Sequence, residues 1–278
     1  MSGGAPGVYC FTLDDNIRFL EQATLAGLPS VFAHPYPALL RRLHQTYGAK
    51  FQLNMYESYA SGSFSLAEVP GRWREELEEN ADWLRFSFHA KHNDPPFPYE
   101  HAAPAALLAD YRAVMGQLHR IAGCAATDAT TTLHYVCAGK AACALLGQQG
   151  VRGLIGMFYP LPGREALRYY LTPAQAKLLQ RQPLWRDAET GLTFACNDLV
   201  LNAVPLPEII PRLEARHKHF YHVMIHEQYF YPDYEAYQPD FAQKIAAALA
   251  WFNGQGLCSC FLEEVLAEGS TGGKSGGK

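Results

Sequence analysis

Between residues 8 and 262 the chain alternates short β-rich apolar runs with stretches of helical periodicity, and this rhythm constrains the fold more than any other feature. The runs fall at 8–13, 51–55, 84–88, 130–135, 153–158, 192–196, 221–225 and 257–262. Helical patterns occupy 16–26, 36–47, 71–80, 103–122, 138–149, 205–216 and 239–253. Several carry boundary signals: Thr172-Pro-Ala opens a short helix, Pro205 and Pro207 open another, and Gly150 and Gly256 close theirs. Strands and helices alternating at this length predict a parallel sheet. Seven or eight such units are enough to close it into a single-domain α/β barrel. A doubly wound open sheet is the alternative, but no glycine-rich turn of the nucleotide-binding type comes after the first run.

Composition narrows the partners. The net charge is −4 and 18% of the 278 residues are charged, so the basic footprint that nucleic acid or an anionic membrane demands is missing. No signal-like apolar core opens the chain, and no run of about 18 apolar residues occurs. A cytoplasmic protein with no membrane partner is expected. The seven cysteines are odd in number and contain no Cys-x-x-Cys pair, which predicts reduced, mostly buried thiols. The expected organisation is a flexible N-terminus over 1–6, one barrel domain over 7–266 and a disordered Gly/Ser/Lys tail over 267–278. The partner left is a small-molecule or carbohydrate substrate, and a homo-oligomer stays open.

The residues that close each apolar run carry the chemistry. Asp14-Asp15 ends the first, His89 the third, His134 the fourth, Asn197-Asp198 the sixth and His226-Glu227 the seventh. In parallel α/β folds, ligands and catalytic groups collect at the carboxyl ends of strands, so five polar ends predict one shared pocket. Of the adjacent carboxylates, one can bind a cation while its neighbour handles a proton. Helix capping is the rival use, but a cap needs only one of them. His89 and His92, three residues apart, can meet at one ion only across a tight turn. His134 is the other candidate, and the choice stays open. His226 suits general acid–base work near neutrality, and Asp198 is placed to hold its tautomer. Tyr229-Phe-Tyr231 with Trp185, Tyr169 and Tyr170 can wall a pocket for a ring or simply pack. Neither a Gly-x-Ser-x-Gly elbow nor a Walker loop is present.

These residues, in this order, resemble the polysaccharide deacetylase (NodB-like) family over roughly residues 7 to 264. Phe11-Thr-Leu-Asp-Asp is similar to that family's opening Thr-Phe-Asp-Asp, which implies a catalytic base at Asp14 and a metal ligand at Asp15. Ser87-Phe-His-Ala-Lys-His is similar to its His-containing metal motif, which puts a ligand at His89. Ile225-His226 is similar to the closing motif, whose His is the catalytic acid. Four departures stand out. The second metal His falls four residues after the first in the family, whereas His92 is three after. The Arg-Pro-Pro-Tyr segment gives way to one carrying His134. Asn16 replaces the usual Gly, and Glu227 stands where Asp is usual. The resemblance implies a metal-dependent hydrolase of an acyl amide, such as an N-acetylated sugar. Its divalent ion is expected to be Zn, with Co, Ni and Mn as alternatives, held by Asp15, His89 and either His134 or His92. Tyr135, Asn197, Asp198, Glu227 and Trp185 complete the expected substrate-binding set. A different metal amidase or phosphoesterase on the same fold, or an inactive binding relative, are the competing readings.

Overall fold

The computed structural model describes residues 7–159 and 166–271. The long apolar runs become the parallel strands β1 (Val8–Asn16), β2 (Phe51–Ser58) and β3 (Leu84–His92), followed by the short β4 (Thr130–Thr131) and β5 (Gly153–Gly156). Then come β6 (Leu184–Arg186), β7 (Thr193–Cys196), β8 (Leu199–Val200), β9 (Phe220–His226) and β10 (Cys258–Ser259). Helices α1 (Arg18–Leu25), α2 (Pro35–Tyr47), α3 (Arg74–Glu78), α4 (Pro104–Ala122) and α5 (Lys140–Gln148) connect the first five strands. The remainder are α6 (Pro173–Leu179), α7 (Ile209–Glu214), α8 (Phe241–Gly254) and α9 (Leu262–Thr271). The Thr172 signal opens its helix as expected, and further boundary residues not named above act in the same way. Pro35 and Pro104 sit in the first turns of their helices, Gly48 ends α2 at φ +67°, and Thr172 with Gln175 forms a capping box on α6.

One sheet runs β3-β2-β1-β9-β8, with β10 also on β1; the other runs β4-β5-β7-β6, where β6 is the antiparallel member. The two are stitched at both sides. Phe86 donates its N–H to Ala126 and accepts from Asp128 (2.8 and 2.9 Å), joining β3 to the chain entering β4. On the other side the chain passes directly from β7 to β8. There Asn197 N–H reaches Gly156 O (2.8 Å) and Asp198 N–H reaches His222 O (2.7 Å). The result is the expected α/β ring of parallel strands with irregular seams. Sequence patterning does not resolve β6, β8 or the seams, because elements of two or three residues carry no readable period. The final run, expected as a strand over 257–262, is only two residues of strand before α9 begins. That helix continues to Thr271, past the expected start of the tail. Residues 1–6 and 272–278, expected to be flexible, lie outside the described residues.

Strand side chains alternate between faces, and the two faces of the ring differ in kind. Tyr9, Phe11, Leu13, Phe51, Leu53, Phe86 and Phe88 point outward into one core under the helices, where Tyr9 stacks on Phe252 of α8 at 4.3 Å. The inward face begins apolar with Cys10, Ile155, Ala195 and Phe220, against which Leu262 of α9 packs. It then turns polar: Gln52 donates to Asn54 Oδ1 (2.9 Å) and to Thr130 O (2.8 Å), and Asn54 donates to Asp14 Oδ1 (2.6 Å). Burying amides this deep is tolerable only because they satisfy one another. The ladder leads upward to the mouth.

Candidate metal centre

Consecutive residues of a regular strand face opposite ways, yet Asp14 and Asp15 both line the mouth cavity. A bulge allows it. Between Leu13↔Leu53 and Asn16↔Met55, β1 spends one residue more than β2, and Asp15 takes φ +63°. Strand β3 has a matching irregularity, because Met55↔Phe88 is followed by Tyr56↔Ala90 and His89 is the extra residue. Beyond β4, His134 opens a 3-10 turn (His134–Val136) in which Tyr135 and the β-branched Val136 both hold positive φ, +58° and +52°. Such backbone persists only where its surroundings impose it.

These three departures bring Asp15 Oδ1, His89 Nε2 and His134 Nδ1 together. Their separations are 3.1 Å (Asp15–His89), 3.4 Å (Asp15–His134) and 3.1 Å (His89–His134). Donor atoms each about 2.0–2.1 Å from one tetrahedral ion stand about 3.3–3.4 Å apart, so the triangle has the right size. The protonation pattern also fits. His89 Nδ1 lies 2.5 Å from the Thr132 carbonyl, which can only accept, so the proton sits on Nδ1 and Nε2 faces the cluster as a lone pair. Burial, opposed by Asp15, lowers the His89 pKa and favours that neutral form. Burial works to raise the Asp15 carboxyl, but the imidazoles of His134, His89 and His226 around it outweigh that, so it stays well below the usual range. Gln228 Nε2 donates to Asp15 Oδ2 at 2.7 Å and aims the carboxylate. Two imidazoles and a carboxylate make a donor set suited to Zn, Co or Ni.

Two further groups frame the triad. Asp14 is buried on the same cavity, and burial, countered by Asn54 and reinforced by the charge of Asp15, holds its carboxyl well above the usual range. Across the β1–β9 pairing its partner is His226. Asn202 Oδ1 accepts from the His226 backbone N–H (3.2 Å) and so must also accept from Nδ1 (2.9 Å), which leaves Nε2 free. The cavity measures about 400 Å³, and a second, outer groove of about 800 Å³ meets it at Asp15, His134 and Tyr135.

The structure therefore brings together Asp14, Asp15, His89, His134, His226, Tyr135 and Asn197, but not the remaining candidates. His92 follows His89 by three residues on the same strand, and its Nδ1 meets Ser58 Oγ at 2.7 Å, outside the triad. Glu227 is fully buried and spoken for: its oxygens accept from the backbone N–H groups of Ile17 (2.8 Å), Arg18 (3.1 Å) and Phe19 (2.7 Å) and from Tyr231 (2.5 Å). It caps α1, the task that sequence left open for the Asp pair. Asp198 pairs with Lys218 and accepts from His222 N–H (3.0 Å), so Asn202 rather than Asp198 orients His226. Trp185 packs on Phe194 in the β6–β7 hairpin, centroids 5.9 Å apart, and does not line the cavity. Among residues that sequence reasoning missed, Tyr56 is the foremost: its hydroxyl donates to Asp15 Oδ1 and lies 3.0 Å from His134 Nδ1. Alternation along β2 (Gln52, Asn54, Tyr56) was the available signal.

No family model matches the chain, and no curated protein matches it by sequence. Solved structures match it by shape. A putative polysaccharide deacetylase from Mycobacterium smegmatis superposes with TM-score 0.53 at 12% identity, over 99% of this chain and 94% of that one. The chain has the polysaccharide deacetylase fold. A structure described as a novel carbohydrate deacetylase gives TM-score 0.55 at 9% identity, over 96% of this chain and 54% of that one. The 4-alpha-glucanotransferase from Thermococcus litoralis gives 0.58 at 11%, over 95% of this chain and 40% of that one. At such identities the likeness concerns fold alone, and the same fold evidently hosts different chemistries. No helix among the described residues is long and apolar enough to cross a membrane.

Proposed function

We propose that the protein is a metal-dependent hydrolase that cleaves an acyl amide, releasing acetate from an N-acetylated carbohydrate. The observation that carries this reading is the Asp15/His89/His134 triangle, with His89 Nε2 stripped of its proton by the Thr132 carbonyl. A divalent ion bound there supplies Lewis acidity toward the amide carbonyl and acidifies water. The chain's own groups do the rest. Asp14, one oxygen held by Asn54, presents the other to take the proton of the attacking water. His226, pinned through Nδ1, offers Nε2 to carry a proton to the departing nitrogen. Gln228 and Tyr56 fix the orientation of Asp15.

The glucanotransferase likeness raises a second reading, glycosyl transfer. That chemistry needs two carboxyl groups flanking the sugar bond, about 5–9 Å apart. Among the described residues, the carboxylates lining the inner cavity are Asp14 and Asp15, adjacent in sequence, and two imidazoles surround the second. The site therefore favours hydrolysis of the amide. Reconstitution with Zn and then metal analysis, together with acetate release from N-acetylglucosamine and its oligomers, tests the proposal. One equivalent of metal and release that chelation abolishes are expected. Metal below about a tenth of an equivalent would sink it.

A further inference from the structure

Helix α9 lies across the amino ends of the strands, opposite the mouth. Glu264 pairs with Lys50 (2.7 Å) just before β2. Glu263 reaches Arg85 of β3 (3.5 Å), the Ala129 N–H before β4 (3.3 Å) and Arg152 before β5 (3.8 Å). Leu262 and Leu266 lie over Gly153, where an added Cβ would stand 3.4 and 3.0 Å from their methyl groups. The strand that leads into this helix is short. β10 pairs with β1 at Val8↔Cys258 and Tyr9↔Ser259 and no further. The ion pairs are partly exposed, and such pairs contribute little each.

One step beyond that pairing, Cys260 comes beside Cys10. Its N–H donates to Tyr9 O (2.9 Å), and the two Sγ atoms stand 3.5 Å apart although 250 residues separate them along the chain. Neighbouring strands run about 4.7–4.9 Å apart, inside the Cα separation of about 4.4–6.8 Å that a disulfide spans. Both thiols are free, and both border the same small apolar cluster. Their exposures differ. Burial holds the Cys10 pKa well above the usual thiol value, so that sulfur keeps its proton. Cys260 is half-buried and is the sulfur that a small oxidant reaches.

We propose that Cys10 and Cys260 form a redox modification site, in which hydrogen peroxide joins them as a disulfide that fastens the root of α9 to β1. The Cys260 sulfur takes one peroxide oxygen as the O–O bond breaks, giving a sulfenic acid and one water. The Cys10 sulfur then displaces that oxygen, and its proton departs with it as a second water. Two thiols are oxidised, and the peroxide is reduced. The Asp15 site takes no part, so the inference is independent of the hydrolase reading. The test treats the full chain with hydrogen peroxide, digests it without reduction and maps the peptides by mass spectrometry, while melting is followed before and after dithiothreitol. A linked peptide pair holding Cys10 and Cys260 is expected, with a melting temperature raised by about 5–10 °C that reduction reverses. C10S and C260S should each lose the gain, and C258S, which alters an exposed thiol, should keep it. Should the buried C10S fail to fold, the half-buried C260S still decides. Linkage of Cys260 to Cys258 or Cys124 in place of Cys10, no linkage at all, or an equal gain in C260S overturns the site.

Discussion

Asp15 and Glu227 are carboxylates at the ends of the neighbouring strands β1 and β9, and their surroundings could hardly differ more. Asp15 is met by two imidazoles, a phenol and an amide. Its imidazole partners can turn lone pairs toward an ion shared with the carboxylate. Glu227 is met by three backbone N–H groups and the Tyr231 hydroxyl, donors that no cation can replace. A carboxylate at a strand end is thus not a site by virtue of position. The partners decide whether it binds a ligand or fastens a helix.

The strongest way to break this comparison is D15A. It should lower kcat/KM by about 10²–10³-fold or more and abolish metal binding by elemental analysis, while the melting transition of the metal-free protein stays cooperative. Metal retained at one equivalent would falsify the assignment. E227A should do the reverse, costing about 3 kcal/mol in urea unfolding because three helix N–H groups lose their acceptor, with metal stoichiometry unchanged. His222 supplies the limiting case, a buried ring with neither nitrogen partnered. Burial lowers its pKa from 6.5 to about 3. The unfolded chain therefore binds the extra proton first, and the stability contributed by the neutral ring is complete above pH 6.5 and is lost as pH falls toward 3. Between pH 6.5 and 5 the loss is about 2 kcal/mol, and H222L should flatten that part of the stability profile relative to the wild type. The smallest effect is expected from Y56F. Losing the phenol beside Asp15 and His134 should weaken metal binding about tenfold, and competition against a chelator of known affinity would measure it.

Asp14, Asp15, His89, His134 and His226 can be picked out from the sequence because each closes an apolar run, and a parallel ring gathers such ends at one mouth. The choice between His92 and His134 cannot be made there. It turns on whether the chain after His89 folds back or runs on, and β3 runs on to His92. Asp198 misleads for a related reason. It stands where the chain crosses from one sheet to the other, so its carboxylate turns to Lys218 and the His222 N–H rather than into the mouth. Tyr56 escapes notice because the apolar run stops at residue 55, whereas the strand continues to Ser58. Trp185 shows the weakness of aromatic content as a guide, since a ring that can stack on a sugar can equally pack on Phe194.

The irregular pairing of β1 and β3 carries a consequence for how tightly this site is specified. A pleated strand counts in twos, and the odd residue near Asp15 and the one at His89 each shift that count by one. Trimming either would send the few strand residues beyond it, Asn16 in β1 and Ala90–His92 in β3, to the opposite face. The mouth is therefore specified apart from the packing behind it: a single-residue deletion at either point should displace the Asp15/His89/His134 triad while the apolar strand residues before it keep their faces.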